Sequence, residues 1–191
     1  MRIVTSNVNG VRAAHRKGFI EWIERTDPDV LLLQETRAPE DIIEEIIGKS
    51  YQVFSSVSTL KGRAGVAIAV KNAYSATFET DLLGNMEDQK DVDTGRWLEV
   101  YLHDYDLRIV SAYLHAGNEK MEEKMTAKYQ HLTKVDARLK ELRGTSLIMG
   151  GDFNVVRSEY DIKNWKNNHN KTAGVLDEEI VYLERWFTEY E

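Results

Sequence analysis

The sequence contains no cysteine. A disulfide framework and a thiolate metal site are both excluded, and the absence fits a reducing cytosol. Proline occurs only as Pro28 and Pro39, and no Ser/Gly-rich or single-residue run divides one composition from another, so nothing reads as a linker. One continuous domain over residues 1–191 is therefore expected, since two domains would each be small. No apolar run approaches the length that spans a bilayer, and MRIVTSNVNG lacks a basic stretch followed by an apolar one. These two absences predict a cytoplasmic chain without a membrane partner. An excess of positive charge is missing as well: 25 basic against 32 acidic residues give a net −7, which argues against gripping nucleic acid through the overall field. A local basic groove remains compatible with that sum, because a bound divalent cation inverts the local sign of the carboxylates around it.

What is present is a succession of short apolar runs that end in polar residues. Arg2–Ser6 and Val30–Gln34 read as buried strands, with a helix from Gly18 to Arg25 between them that Asp27-Pro28-Asp29 breaks. A second helix, Glu40–Ile47, carries Ile42, Ile43, Ile46 and Ile47 on one face and ends at Gly48. Strand-like segments follow at 51–57, 66–70, 76–82, 97–102 and 107–113, linked by turn-rich stretches such as KGRAG and HDYD. Apolar residues at helical spacing from Met121 to Leu142 predict the longest helix, closed by Gly144. A strand at Leu147–Met149 and an amphipathic helix at 177–190 complete the pattern. Helices alternating with strands, then a hairpin-rich middle, suggest an α/β sandwich with mixed sheets rather than a purely parallel sheet.

The chemistry collects where strands end. Asn7 follows IVTS, Glu35 follows VLLLQ, Tyr113 follows IVSA, and Asp152 with Asn154 follows LIMGG. Each has an ordinary explanation alone: Glu35 as a solvated strand end, Asn7 and Asn154 as turn residues, Tyr113 as an aromatic at the edge of the core. Asp152 is the stronger signal, because two preceding glycines imply a close backbone approach. Four such ends together match the usual place of ligand sites in open α/β sheets.

In order along the chain, TSNVNGVRA, LLLQETRA, GRAGVAIAVK, GRWLEV, IVSAYLHAGN and LIMGGDFNVV, followed by DIKNWKNN and KTAGVLDEE, resemble the motifs of one family. It is the exonuclease III-like branch (exodeoxyribonuclease III and AP endonuclease) of the endonuclease/exonuclease/phosphatase superfamily. The resemblance implies a four-layer α/β sandwich, with two mixed β-sheets packed face to face, helices outside, and a C-terminal part incomplete. It implies a Mg2+-dependent repair nuclease, with Mn2+ as a substitute, acting on double-stranded DNA at abasic sites or 3′ ends. Glu35 matches the Mg2+-binding carboxylate and Asn7 lies beside it as an outer ligand. Asp152 matches the residue that activates the attacking water, Asn154 the one that orients water and phosphate, and Tyr113 the tyrosine at the scissile phosphate. Asp152 and Asn154 are also counted with the metal set. The oxygen donors suit hard Mg2+, with phosphate and water supplying further ligands.

DNA contacts are expected from Arg12, Arg37, Arg63, Asn168 and Lys171, with Lys61, Lys163 and Lys166 as further phosphate-binding candidates. Trp165 can stack on a base or fill a small core of its own loop, the second being the preferred reading. The sequence departs from the family in lacking an R-x-D segment and a terminal Ser-Asp-His motif. None of His15, His103, His115, His131 and His169 follows an aspartate. A truncated chain is the expectation; a complete short chain would be weakly active or inactive, and a dimer covering its open sheet edge would replace the expected monomer. The competing functions are a phosphatase or phosphodiesterase on a non-DNA substrate and an inactive DNA-binding remnant.

Overall fold

The computed structural model describes residues 1–190. In chain order the elements are β1 (Ile3–Asn7), α1 (Val11–His15), α2 (Phe19–Thr26), β2 (Val30–Gln34), α3 (Glu40–Ile47), β3 (Tyr51–Ser56), β4 (Val66–Lys71), β5 (Ala76–Thr80), β6 (Trp97–Leu102), β7 (Leu107–Tyr113), α4 (Glu122–Glu141), β8 (Leu147–Asp152), α5 (Trp165–Asn168) and α6 (Asp177–Thr188). They form two compact units. The first comprises residues Met1–Tyr113 with Ser146–Asp152 and holds every strand. The second is the remainder and holds α4, α5 and α6.

In the first unit, one sheet has the order β1-β2-β4-β3 and the other β5-β6-β7-β8. Both are mixed: β1 runs parallel to β2 and β7 parallel to β8, while the other neighbours are antiparallel. The unbroken apolar runs explain why the sheets face each other. In β2, Leu31 and Leu33 point with Ala67 and Ala69 of β4 into a core shared with Val11, Phe19, Ile23, Ile43 and Ile47 of α1, α2 and α3. The alternate residues Val30 and Leu32, with Val66, Ile68 and Val70, meet Leu98, Val100, Leu102 and Ile109 of the second sheet. A strand buried on both faces has no room for a polar alternation, which is the pattern VLLLQ carries.

Two polar anchors fix the geometry. At the base of the first sheet, Asp29 accepts the Arg2 backbone N–H at 2.6 Å and an ion pair from Lys71 at 3.3 Å, tying β1, β2 and β4. Between the sheets, Gln34 donates its amide to the Ser111 hydroxyl at 3.0 Å, and Ser111 in turn donates to the Leu33 carbonyl at 3.1 Å. Gln34 and Ser111 are 1% and 0% exposed, so neither can exchange these partners for water.

The second unit is organised by charge to an unusual degree. Lys128 of α4 and Glu179 of α6 are both 0% exposed and pair at 2.7 Å. Lys128 also donates to the carbonyls of Ala116 and Asn154, at 3.0 and 2.9 Å, and Glu179 accepts the N–H groups of Gly174 and Leu176, at 2.5 and 3.2 Å. This one pair thereby ties three loops to two helices. Nearby, Asp136 of α4 accepts from Arg185, Trp186 and Tyr190, which holds α6 against α4.

The element boundaries agree closely with expectation, with three differences. Val11–His15 forms α1, and Trp165–Asn168 forms α5; neither was expected, since four or five residues cannot display a helical period. The last strand runs on through the glycines to Asp152 instead of ending at Met149, because Gly150 and Gly151 continue to pair with Ser111 and Ala112.

Ser111→Ala leaves the buried Gln34 amide without its acceptor and is expected to cost about 1–3 kcal/mol, read from the urea midpoint. Asp29 gives a pH-dependent expectation. The Arg2 N–H, then Lys71 and Tyr74, outweigh its burial and hold its pKa below the usual carboxylate value. A depressed folded pKa contributes stability that is complete above the unfolded pKa and lost as pH falls through the folded one. Asp29→Asn is therefore expected to destabilise the protein at neutral pH, with the gap from wild type closing on acidification in parallel thermal melts.

Candidate active site

Parallel pairing brings the reactive ends together. Because β1 and β2 run the same way in register Asn7↔Gln34, Asn7 and Glu35 leave the first sheet at the same end. Because β7 and β8 run parallel in register Tyr113↔Asp152, those two side chains are neighbours at the end of the second sheet. Asn7 then joins the sheets: its amide nitrogen donates to Glu35 Oε1 at 2.8 Å and to Asp152 Oδ2 at 2.9 Å. Its own carbonyl accepts the Asn9 N–H at 3.0 Å, which fixes the amide's orientation.

Glu35 sits on strained backbone. Its φ is +53° and that of Arg37 is +50°, values that L-residues adopt rarely. Hydrogen bonds on both sides impose the turn: Gly10 and Val11 donate to the carbonyls of Glu35 and Thr36, while Thr36 and Arg37 donate to those of Gly65 and Ala64. Strain of this kind persists where the surroundings over-determine it, commonly at functional sites. The Glu35 side chain is only 13% exposed and pairs with Arg37. Burial pushes its pKa up, but hydrogen bonds from Asn7 and Arg37, the Arg37 charge and the Tyr113 hydroxyl reverse that effect, so the carboxylate is held below its ordinary range. Tyr113 moves the other way: burial first, then the Glu35 charge, pushes its phenol up against the opposing influence of Arg96.

The close approach implied by the double glycine is present. A Cβ on Gly150 would stand 2.8 Å from Leu32, and one on Gly151 would stand 1.9 Å from the Ala112 carbonyl oxygen. Gly151 also has φ +155°, so the strand can deliver Asp152 beside Tyr113 only without a side chain at position 151, whereas Gly150 meets the movable end of a leucine.

The expected phosphate-binding cations divide between the units. Arg12, Arg37 and Arg63 line one cavity of about 420 Å3 together with Lys61, Ser58 and Thr59. The first unit thus gathers three of the expected DNA-contacting residues beside Glu35. In the second unit, Asn154 has φ +50° and donates its amide to the Leu114 carbonyl at 2.9 Å. Asn168 donates its amide to the carbonyls of Lys163 and Asn164, just before its own short helix, whereas Lys171 is exposed. Trp165 is partly exposed and stacks on His169 with ring centroids 4.3 Å apart. Asn168 is thus engaged locally, a role the motif alone does not display.

The metal question turns on the donor set. Among the described residues no three His, Cys, Asp or Glu side chains gather into a metal site of their own. Glu35 and Asp152 supply two carboxylates joined through Asn7, an all-oxygen arrangement that fits a hard cation completed by phosphate and water. Sequence reasoning missed Arg96, whose guanidinium lies over the Tyr113 ring at 4.8 Å. The signal was available: with Leu102 opposite Leu107 across the HDYD turn, counting back along the hairpin places position 96 opposite Tyr113.

A likeness to known proteins extends over nearly the whole chain. The DNA-(apurinic or apyrimidinic site) endonuclease of Dictyostelium discoideum is 32% identical over 184 residues, covering 94% of this chain and 48% of that protein. The DNA repair nuclease APEX1 of Danio rerio is 30% identical over 204 residues, covering 99% of this chain and 61% of its own. This chain thus spans about half to three fifths of those two relatives. An AP endonuclease from Archaeoglobus fulgidus has the same α/β sandwich, with a TM-score of 0.75 at 25% identity over 98% of this chain and 70% of its own. The profile of the Endonuclease/Exonuclease/phosphatase family matches residues 4–190, and with strand order, site and relatives in agreement, the chain belongs to that family.

Proposed function

We propose that this chain carries the catalytic centre of a Mg2+-dependent DNA repair nuclease, which hydrolyses phosphodiesters in double-stranded DNA at abasic sites or 3′ ends. One observation carries the reading: two carboxylates from different sheets, Glu35 and Asp152, are held by a single amide, with Tyr113 paired to Asp152 in the strand register. The names of the relatives point to the same substrate class.

The roles follow from charge and position. Glu35, kept ionised by Asn7 and Arg37, is the residue to hold Mg2+ with Asp152 beside it. Asn7, whose amide N–H groups face both carboxylates while its oxygen accepts from Asn9, positions the pair and lies outside the ligand set in this arrangement. When bound, the cation supplies Lewis-acid polarisation of a phosphoryl oxygen and stabilises the leaving alkoxide; Mn2+ has the same oxygen preference. Asp152 accepts the proton of the attacking water as the oxygen–phosphorus bond forms and the bond to the 3′ oxygen breaks. Tyr113, kept protonated by burial, donates to a phosphate oxygen. Asn154 orients water and phosphate. Arg12, Arg37, Arg63 and Lys61 hold flanking phosphates in their shared cavity, and Lys171 is a further contact.

The test is incision of a duplex oligonucleotide bearing one abasic analogue, with Mg2+ and with EDTA. Mg2+-dependent incision beside the lesion is expected. Release of phosphate from small monoesters without incision would move the reading to a phosphatase. Asp152→Asn is expected to lower the rate by about 10^2–10^4-fold while binding persists, and an Asp152→Asn protein that cleaves at the wild-type rate would sink the mechanism. Glu35→Ala is expected to shift the Mg2+ titration to higher concentration.

A further inference from the structure

Arg96, which has no part in the roles above, stands beside Tyr113 in the first unit. It grips Tyr113 at three places. The Tyr113 N–H donates to the Arg96 carbonyl at 2.8 Å, Arg96 Nη1 donates to the Tyr113 carbonyl at 3.5 Å, and the guanidinium carbon lies 4.8 Å from the ring centroid. Arg96 Nε donates to the Val92 carbonyl at 2.7 Å, which fixes the plane of the group. A guanidinium carries five N–H donors, more than the two carbonyls and the phenol oxygen require. The phenol hydroxyl interacts with both Arg96 and Glu35, which puts the guanidinium beside the place where Tyr113 would meet a phosphate.

Glu35 and Asp93 act on Arg96 electrostatically. A half-buried guanidinium fork near Glu35, Asp93 and a phenol has the geometry that recognises a phosphate oxygen, and a lysine could not reproduce its planar stack. We propose that Arg96 is a catalytic residue: stacked on Tyr113, it contacts the phosphate bound at the tyrosine hydroxyl and supplies fixed positive charge there. The rival is a purely structural prop for the tyrosine ring. The proposal rests on the nuclease reading, and the experiment separates the two.

The full chain is compared with Arg96→Gln, which removes the charge but keeps an amide donor, and with Arg96→Lys, which keeps the charge. Binding of the abasic-analogue duplex is measured in EDTA across a salt series. Each phosphate contact contributes about 0.9 to the slope of log K against log salt, so Arg96→Gln is expected to flatten the slope by about one contact, while Arg96→Lys preserves it. With Mg2+, Arg96→Gln is expected to lose about 10^2-fold in kcat with a smaller change in KM, and Arg96→Lys to recover part of that loss. A prop would lower activity without moving the slope. An Arg96→Gln protein with the wild-type slope overturns the proposal alone, whereas a wild-type chain with neither salt-dependent binding nor Mg2+-dependent cleavage overturns the nuclease reading and this proposal with it. If Arg96→Gln does not fold, Arg96→Met is the neutral variant, with the same expected slope and the same overturning result.

Discussion

The buried amide of Gln34 is the constraint on which the site depends. Its two carboxylates come from strands of different sheets, so their separation is only as well defined as the register between those sheets. Apolar packing of Leu32 and Ile68 against Leu98 and Val100 supplies the attraction but is indifferent to small slips. The chain from Gln34 to Ser111 to the Leu33 carbonyl is directional and out of reach of water, so a slip would leave buried donors unpaired. Gln34 precedes Glu35 directly, and Ser111 stands two residues before Tyr113. The lock between the sheets therefore lies immediately beneath the groups it must align.

Above that lock, one asparagine manages two like charges. Glu35 and Asp152 would repel if left to approach each other, and an amide with two N–H donors can satisfy both at once without titrating. Asn7 is free to do so because Asn9 occupies its carbonyl. Arg37 adds a positive charge to Glu35 from the side facing the cationic cavity, so the carboxylate is ionised before any cation arrives. The left-handed backbone of Glu35 and Arg37 belongs to the same arrangement: a regular strand would hold these two side chains on one face roughly 6–7 Å apart along its axis, whereas the turn lets Arg37 fold back onto Glu35.

Much of this was legible in the sequence, for a physical reason. Runs such as VLLLQ and IVSAY must be buried, their first polar residue must mark the exit from the core, and parallel strands exit at one end. The double glycine before Asp152 was readable because only a missing Cβ permits the approach to Ala112. Pairings that depend on register were harder to see. That Tyr113 stands opposite Asp152 requires knowing that β7 and β8 are adjacent, although α4 separates them in the chain. Lys128 sits in the helix sequence as an ordinary charged residue, and nothing near it announces that Glu179, fifty-odd residues on, will meet it in a site closed to solvent. Asn168 carried a motif resemblance that did not reveal how its amide is used.

The net charge illustrates the difference between a sum and a distribution. A total of −7 describes the field far from the surface, where salt screens it within about 10 Å. A phosphate arriving at the first unit meets Arg12, Arg37, Lys61 and Arg63 around one cavity, all within a unit whose carboxylates at the strand ends are already tied to Asn7 or Arg37. Acidic residues elsewhere, such as the Glu40 and Asp41 that open α3 or the Asp177 and Glu178 that open α6, meet the positive ends of helix dipoles. Their charge is partly spent on local structure. The sequence total counts them equally with Glu35, which is why it is a poor guide to what this surface can bind.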